Sequence, residues 1–103
     1  MTPRTFIALD ETPQVVHAAV GSIGIVIIDN PDTSDPVFVK LYRSASAPAV
    51  ASVTPAIELK VEAGTAMPWP VFADGAQWWI AAGSVRGADA TAPSTAPNVT
   101  IMT

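Results

Sequence analysis

Gly24-Ile25-Val26-Ile27-Ile28 is apolar at consecutive positions, and Trp78-Trp79-Ile80 repeats the pattern. Neighbouring side chains of a strand leave by opposite faces of a sheet, so both segments carry apolar surface to two sides. A chain of 103 residues builds about two layers around one core. The sequence therefore predicts strands with more apolar surface than one core uses. The second face needs a cover, and another protein chain is the expected one.

Outward from these segments, ten prolines and six glycines cut the chain into pieces of about 4–8 residues, the length of strands rather than helices. Threonine, valine and isoleucine are plentiful and suit pleated structure. No stretch free of proline and glycine keeps helical apolar spacing over three turns. Strands are expected at Thr5–Leu9, Val15–Val20, Ile23–Asp29, Val37–Arg43, Ile57–Glu62, Met67–Phe72, Trp78–Ser84 and Val99–Met102. Asn30–Pro36, Ala63-Gly64-Thr65 and Asp74-Gly75 read as turns. Ser44–Pro55 and Arg86–Asn98 read as long loops of small residues. The expected fold is an all-β, single-domain β-sandwich over residues 1–103, jelly-roll-like, with seven or eight short antiparallel strands. Residues 1–14 could extend as an N-terminal arm.

Half the residues are apolar and 14% are charged, against roughly 25% charged in soluble domains. Net charge is −4. The five basic residues, Arg4, Lys40, Arg43, Lys60 and Arg86, are scattered, so no basic patch for nucleic acid or an anionic membrane is expected. Cysteine is absent, leaving burial and backbone pairing to hold the fold. The longest apolar window, Ile23 to Ile28, falls far short of the ~20 residues that span a bilayer. The N-terminal residues lack the apolar run of a secretion signal, so synthesis and assembly in the cytoplasm are expected.

From Val37-Phe38-Val39-Lys40-Leu41-Tyr42 onward the chain resembles a group of small all-β structural proteins encoded among the virion genes of tailed bacteriophages and related prophages. The resemblance rests on an ordered set: the apolar strand Ile23–Asn30, then Val39-Lys40-Leu41-Tyr42, then Ala45-Ser46-Ala47-Pro48 with Thr54-Pro55. Ile57–Val61 with Ala63-Gly64 and the loop Ala88-Asp89-Ala90-Thr91-Ala92-Pro93 complete it. It covers about Val15 to Ile101. Two departures stand out: Met67-Pro68-Trp69-Pro70 replaces apolar–polar alternation, and Trp78-Trp79 is heavier than the small residues usual there. The resemblance implies a non-enzymatic virion protein without a cofactor that decorates or cements the capsid exterior. Its implied partners are copies of itself, as a homotrimer, and the major capsid protein. A tail or baseplate component, or a carbohydrate-binding host-attachment module, are the alternatives.

Candidate interface residues follow from the same logic: Trp69, Trp78, Trp79, Phe38, Tyr42, Val26 and Ile28. Alternation puts Trp78, Ile80 and Ala82 on one face of a strand and Trp79 and Ala81 on the other. The outward tryptophan meets either a partner chain or a loop of its own chain such as Arg86–Asn98. Phe38, Lys40 and Tyr42 share a face that is either an interface stripe or cross-strand packing under the Ser44–Pro55 loop. Trp69, between Pro68 and Pro70, reads as a protected sheet edge that could also present its indole.

Other chemistry has weaker signals. Asp29, Asn30, Asp32, Ser34 and Asp35 form an oxygen-rich loop, but without calcium-loop spacing or its glycine, so local turn chemistry is expected and no metal. His17 is the only histidine and reads as a half-buried polar residue, with no nucleophile elbow nearby. Glu58 and Glu62 lie about 13 Å apart on one strand face, too far for paired glycosidase acids.

Overall fold

The computed structural model describes residues 3–17 and 19–103. Eight strands follow in order: β1 (Pro3–Phe6), β2 (Gln14–Val15), β3 (Gly21–Asp29), β4 (Val37–Arg43), β5 (Ile57–Val61), β6 (Ala66–Ala76), β7 (Trp78–Gly83) and β8 (Asn98–Met102). They form two antiparallel four-stranded sheets, ordered β1-β8-β3-β6 and β2-β7-β4-β5. In this order the chain is doubled back on itself, with β4 beside β5, β3 beside β6, β2 beside β7 and β1 beside β8. That doubled ribbon wrapped into two sheets is the jelly-roll arrangement.

Alternation decides which side chains fill the space between the sheets. Val26 and Ile28 of β3 face inward beside Ile101 and Val99 of β8, their register partners. From the other sheet come Val37, Val39 and Leu41 of β4, Leu59 and Val61 of β5, and Trp78, Ile80 and Ala82 of β7. Leu9 and Val16 join this core from the segments flanking β2. The accessible surface is 5025 Å², no larger than the roughly 5,500 Å² of a lone globular chain of 10.6 kDa.

Several expected boundaries shift. The first strand ends at Phe6, because Ala8 takes a positive φ of 53° and turns the chain. Its amide donates to Asn98 Oδ1 at 2.9 Å. β1 pairs with β8 from Pro3 to Phe6, so this part of the expected N-terminal arm is a sheet strand instead. β2 is only two residues long, against the longer strand expected over Val15–Val20. Within that span Ala18 lies outside the described residues.

Asp74-Gly75 is not a turn. It lies inside β6, where two register shifts against β3 mark extra residues in β6 between the Gly21–Ala76 and Ile25–Pro70 pairs. An Asp-Gly pair signals a hairpin only when the flanking strands pair with each other. Here β6 and β7 belong to different sheets, and the chain crosses between them at Gln77. The oxygen-rich loop behaves as turn chemistry predicts. Asn30 Nδ2 donates to the carbonyls of Asp35, Val61 and Glu62, which ties the β3–β4 loop to the end of β5. Asp32 Oδ1 accepts from the amides of Ser34 and Asp35 at 2.8 and 3.1 Å, and these bonds hold its carboxyl below the usual 3.8.

Candidate interaction surface

The outer face of the β2-β7-β4-β5 sheet is built from three cross-strand rows: Lys60–Phe38–Gly83, Glu58–Lys40–Ala81, and Tyr42–Trp79–Val15. Two loops of the same chain cover it. The 44–56 loop lays Val50 over Tyr42, Ala81 and Trp79, and Trp79 Nε1 donates to the carbonyl of Ser44 at 3.1 Å. The 84–97 loop covers the other end. Its Arg86 guanidinium lies over the Phe38 ring at 5.7 Å, and the Gly87 amide donates to Glu58 Oε2 at 2.7 Å.

Lys40 is fully buried under that second loop, and its Nζ donates to the carbonyl of Asp89 at 2.7 Å. Burial pushes the lysine below its ordinary 10.5, with the Glu58 and Asp89 carboxylates acting in the opposite direction. Gly83 is needed beneath the same loop. A Cβ there would meet the Thr91 carbonyl at 3.1 Å and Lys40 Nζ at 3.3 Å, so the loop sits directly on the glycine backbone. Tyr42 is buried too, and its hydroxyl has no hydrogen-bond partner in the protein. Burial raises it to about 12, the Glu58 charge adding to the effect.

These contacts correct most of the expected interface. Val26, Ile28 and Trp78 are fully buried in the chain's own core, because inward parity in β3 and β7 aims them between the sheets. Phe38 and Tyr42 are buried beneath the chain's own loops. Trp79 is half-buried, covered by the 44–56 loop, where the alternative cover considered was the 86–98 loop. Five of the six are thus buried by the chain itself, and Trp79 is half-buried.

Trp69 is half-buried as well, but no loop lies over it in the way the 44–56 loop covers Trp79. It pairs with Val26 and packs on the core at the open flank of the sandwich. Its Nε1 is buried without a partner in the protein. Beside it is a hollow of about 350 Å³, lined by Lys60, Glu62, Thr65, Ala66, Met67 and Trp69. Lys60 and Glu62 form an exposed ion pair of 3.2 Å across its rim.

Among the described residues the opposite sheet has no such covers. On the outer face of β1-β8-β3-β6, one row runs Pro3–Met102–Ile25–Pro70 and the next runs Thr5–Thr100–Ile27–Pro68. Ile27 is 41% exposed, Pro3, Pro68 and Pro70 are exposed, and Ile25 and Met102 are half-buried. Asp29 is the one ionisable side chain in the rows that continue these to Asn98 and Ala66. At the β6 irregularity Phe72 is 68% exposed with a positive φ of 48°, a strained backbone for a bulky residue. Beside it is an open hollow of about 400 Å³ lined by Ser22, Ile23, Gly24, Phe72, Ala73 and Thr103.

Sequence reasoning missed Ile25, Ile27, Met102, Pro68, Pro70 and Phe72 as a surface. The alternation signal was present in Ile25-Val26-Ile27-Ile28; it separates two faces but does not say which one points out. Phe72 carries no sequence signal, since its exposure depends on the bulge.

Other candidate groups are accounted for locally. His17 Nε2 donates to the Ser22 carbonyl at 2.9 Å when it carries the ring proton. The ring occupies the space where a Gly21 Cβ would lie, 2.8 Å from its atoms. No group of three or more potential metal ligands occurs among the described residues, and none of their helices is long and apolar enough to cross a membrane. Comparison with family models, curated proteins and solved structures finds no match.

Proposed function

We propose that this chain is a structural protein of a tailed-bacteriophage particle, decorating or cementing the capsid exterior through contacts with its own copies and with the major capsid protein. The observation that carries the reading is the uncovered, nearly charge-free outer face of β1-β8-β3-β6. Apolar patches of this kind mark interaction surfaces. The jelly roll is frequent in viral capsid and lectin domains, which supports the reading by fold-level analogy. The ordered resemblance from Val15 to Ile101 points the same way. Bound only to the assembled lattice, such a protein would shift the equilibrium against shell opening by mass action.

The test is immunogold labelling of particles from the virus or induced prophage that encodes the chain. Labelled heads are expected. Particles without label, with the protein left free in the lysate, would contradict the proposal, and labelled tails would replace it with a tail or baseplate role.

A second reading, binding of host carbohydrate, is favoured by one feature. Trp78 is buried and Trp79 lies under the 44–56 loop, but Trp69 shares its hollow with Lys60, Glu62 and Thr65, polar groups of the kind that bind sugar hydroxyls beside an aromatic ring. Glycan-array binding lost in Trp69→Ala would support it.

A further inference from the structure

We propose that the outer face of the β1-β8-β3-β6 sheet, centred on Ile25, Ile27 and Met102, is a self-association surface that closes against a second copy of this chain across a two-fold axis. The inference rests on the assembly role above and names the partner of that surface.

Area is the first argument. The molecule measures 36 × 30 × 18 Å, and stacked sheets lie about 10 Å apart, so the short axis is the stacking direction and the broad sides are the two sheet faces. An ellipse on the two long axes covers about 850 Å², so a broad side in contact over its full extent reaches the ~800 Å² that each partner contributes to a stable specific interface. One broad side is already roofed by the chain's own loops. The other is bare and large enough.

Charge selects the occupant. The chain carries −4, yet the rows of this face hold one ionisable side chain, Asp29, near one end. Such a face has little to offer a charged partner, whose steering needs a complementary patch. It does let two equally charged copies meet, because their repelling groups stay away from the contact.

The edges argue for face-to-face contact. Proline enters a ladder where its missing N–H would point away from the neighbour, so Pro68 and Pro70 leave the free edge of β6 without donors at those positions. At the other edge β1 is four residues long and begins with Pro3. Growth by strand addition is therefore blocked at both margins. A single self-complementary face closes as a dimer, whereas a three-fold ring needs two unlike patches. Phe72 projects beside the hollow it helps to line. Burying its exposed ring against the second copy would offset the strained φ at this position.

Sedimentation equilibrium of the full chain between 1 and about 200 μM, the span of moderate interface affinities, tests this. A monomer–dimer equilibrium is expected. Ile27→Asp should weaken it at least tenfold. Phe72→Gly should also weaken it while the monomer melts no lower, since glycine relieves the positive φ. Val53→Asp, at an exposed apolar position on the loop side, should leave it unchanged. A monomer throughout, a trimer, or any oligomer indifferent to Ile27→Asp would overturn the inference. The capsid proposal would then stand or fall separately on particle labelling, because a monomer can still decorate a shell.

Discussion

The two outer faces of the sandwich are alike in strand architecture and opposite in cover. On β2-β7-β4-β5 the chain uses its own loops. Val50 caps Tyr42 and Trp79, Asp89 receives the Lys40 ammonium, and Thr91 rests on Gly83. On β1-β8-β3-β6 nothing among the described residues roofs Ile27 or Pro68, which stay exposed. The chain therefore covers one face with its own loops and leaves the other uncovered among the described residues. The lesson concerns low-complexity loops. The 44–56 and 84–97 segments, rich in alanine, serine, threonine and proline, are lids that finish a second, smaller core.

Substitutions on the two faces should accordingly behave as different kinds of change. The largest effect is expected from Trp79→Ala, which removes the indole beneath Val50 and its bond to Ser44. A loss of about 2 kcal/mol in urea unfolding follows, less than the cost of truncating a fully buried aromatic because the indole is half-buried. A loss below about 1 kcal/mol would mean that the 44–56 loop is no lid.

Next comes Lys40→Met, which keeps the stem and removes the ammonium. Burying that charge is costly, so global stability should hold or rise by about 1 kcal/mol. Freed from its Lys40 anchor at Asp89, the loop should exchange its amides at residues 87–91 roughly tenfold faster. Unchanged exchange would show that the other contacts hold the loop alone.

Tyr42→Phe should be neutral or stabilising by up to about 1 kcal/mol at pH 7, because the hydroxyl it deletes is buried without a partner. The pH dependence has a definite sign. The folded protein holds Tyr42 neutral up to about 12, against 10.0 for a free tyrosine. Stability from that group is complete below pH 10 and is lost as the pH rises to about 12. Wild type should therefore lose stability over that window more steeply than the phenylalanine variant. Parallel curves would place the Tyr42 hydroxyl in water.

The smallest effect belongs to the bare face. Ile27→Thr, measured on dilute monomer, should change unfolding free energy by no more than about 0.5 kcal/mol, as for ordinary surface positions. A loss of 2 kcal/mol would put Ile27 inside the core and erase the contrast between the faces.

Much of the architecture was legible in the residues. Val37–Arg43 is a strand with the expected bounds, because its turn-rich upstream neighbour and the small residues after it leave no choice. The opposite parities of Trp78 and Trp79 were legible as well. Their surroundings were not, since period two separates faces without saying what covers them, and the covers are loops without periodicity. Asp74-Gly75 carried a true local signal that the topology overrode by sending β7 to the other sheet. Val26 and Ile28 were named for the interface, yet they face the core, and their neighbours Ile25 and Ile27 lie on the uncovered outer face. In a wholly apolar run only the polar partners across the ladder, Thr100 and Asn98 opposite Ile27 and Asp29, reveal the outward side, and pairing is a tertiary fact.

Methyl NMR with a soluble paramagnetic agent measures cover directly, face by face. In dilute protein the account predicts strong attenuation of Ile27 and Met102 methyl signals and sparing of Val50 and Ala81. As concentration rises, Ile27 and Met102 should become protected while Val50 and Ala81 do not change. Attenuation of Val50 and Ala81 in the monomer, or exposure of Ile27 that persists at every concentration, would contradict it.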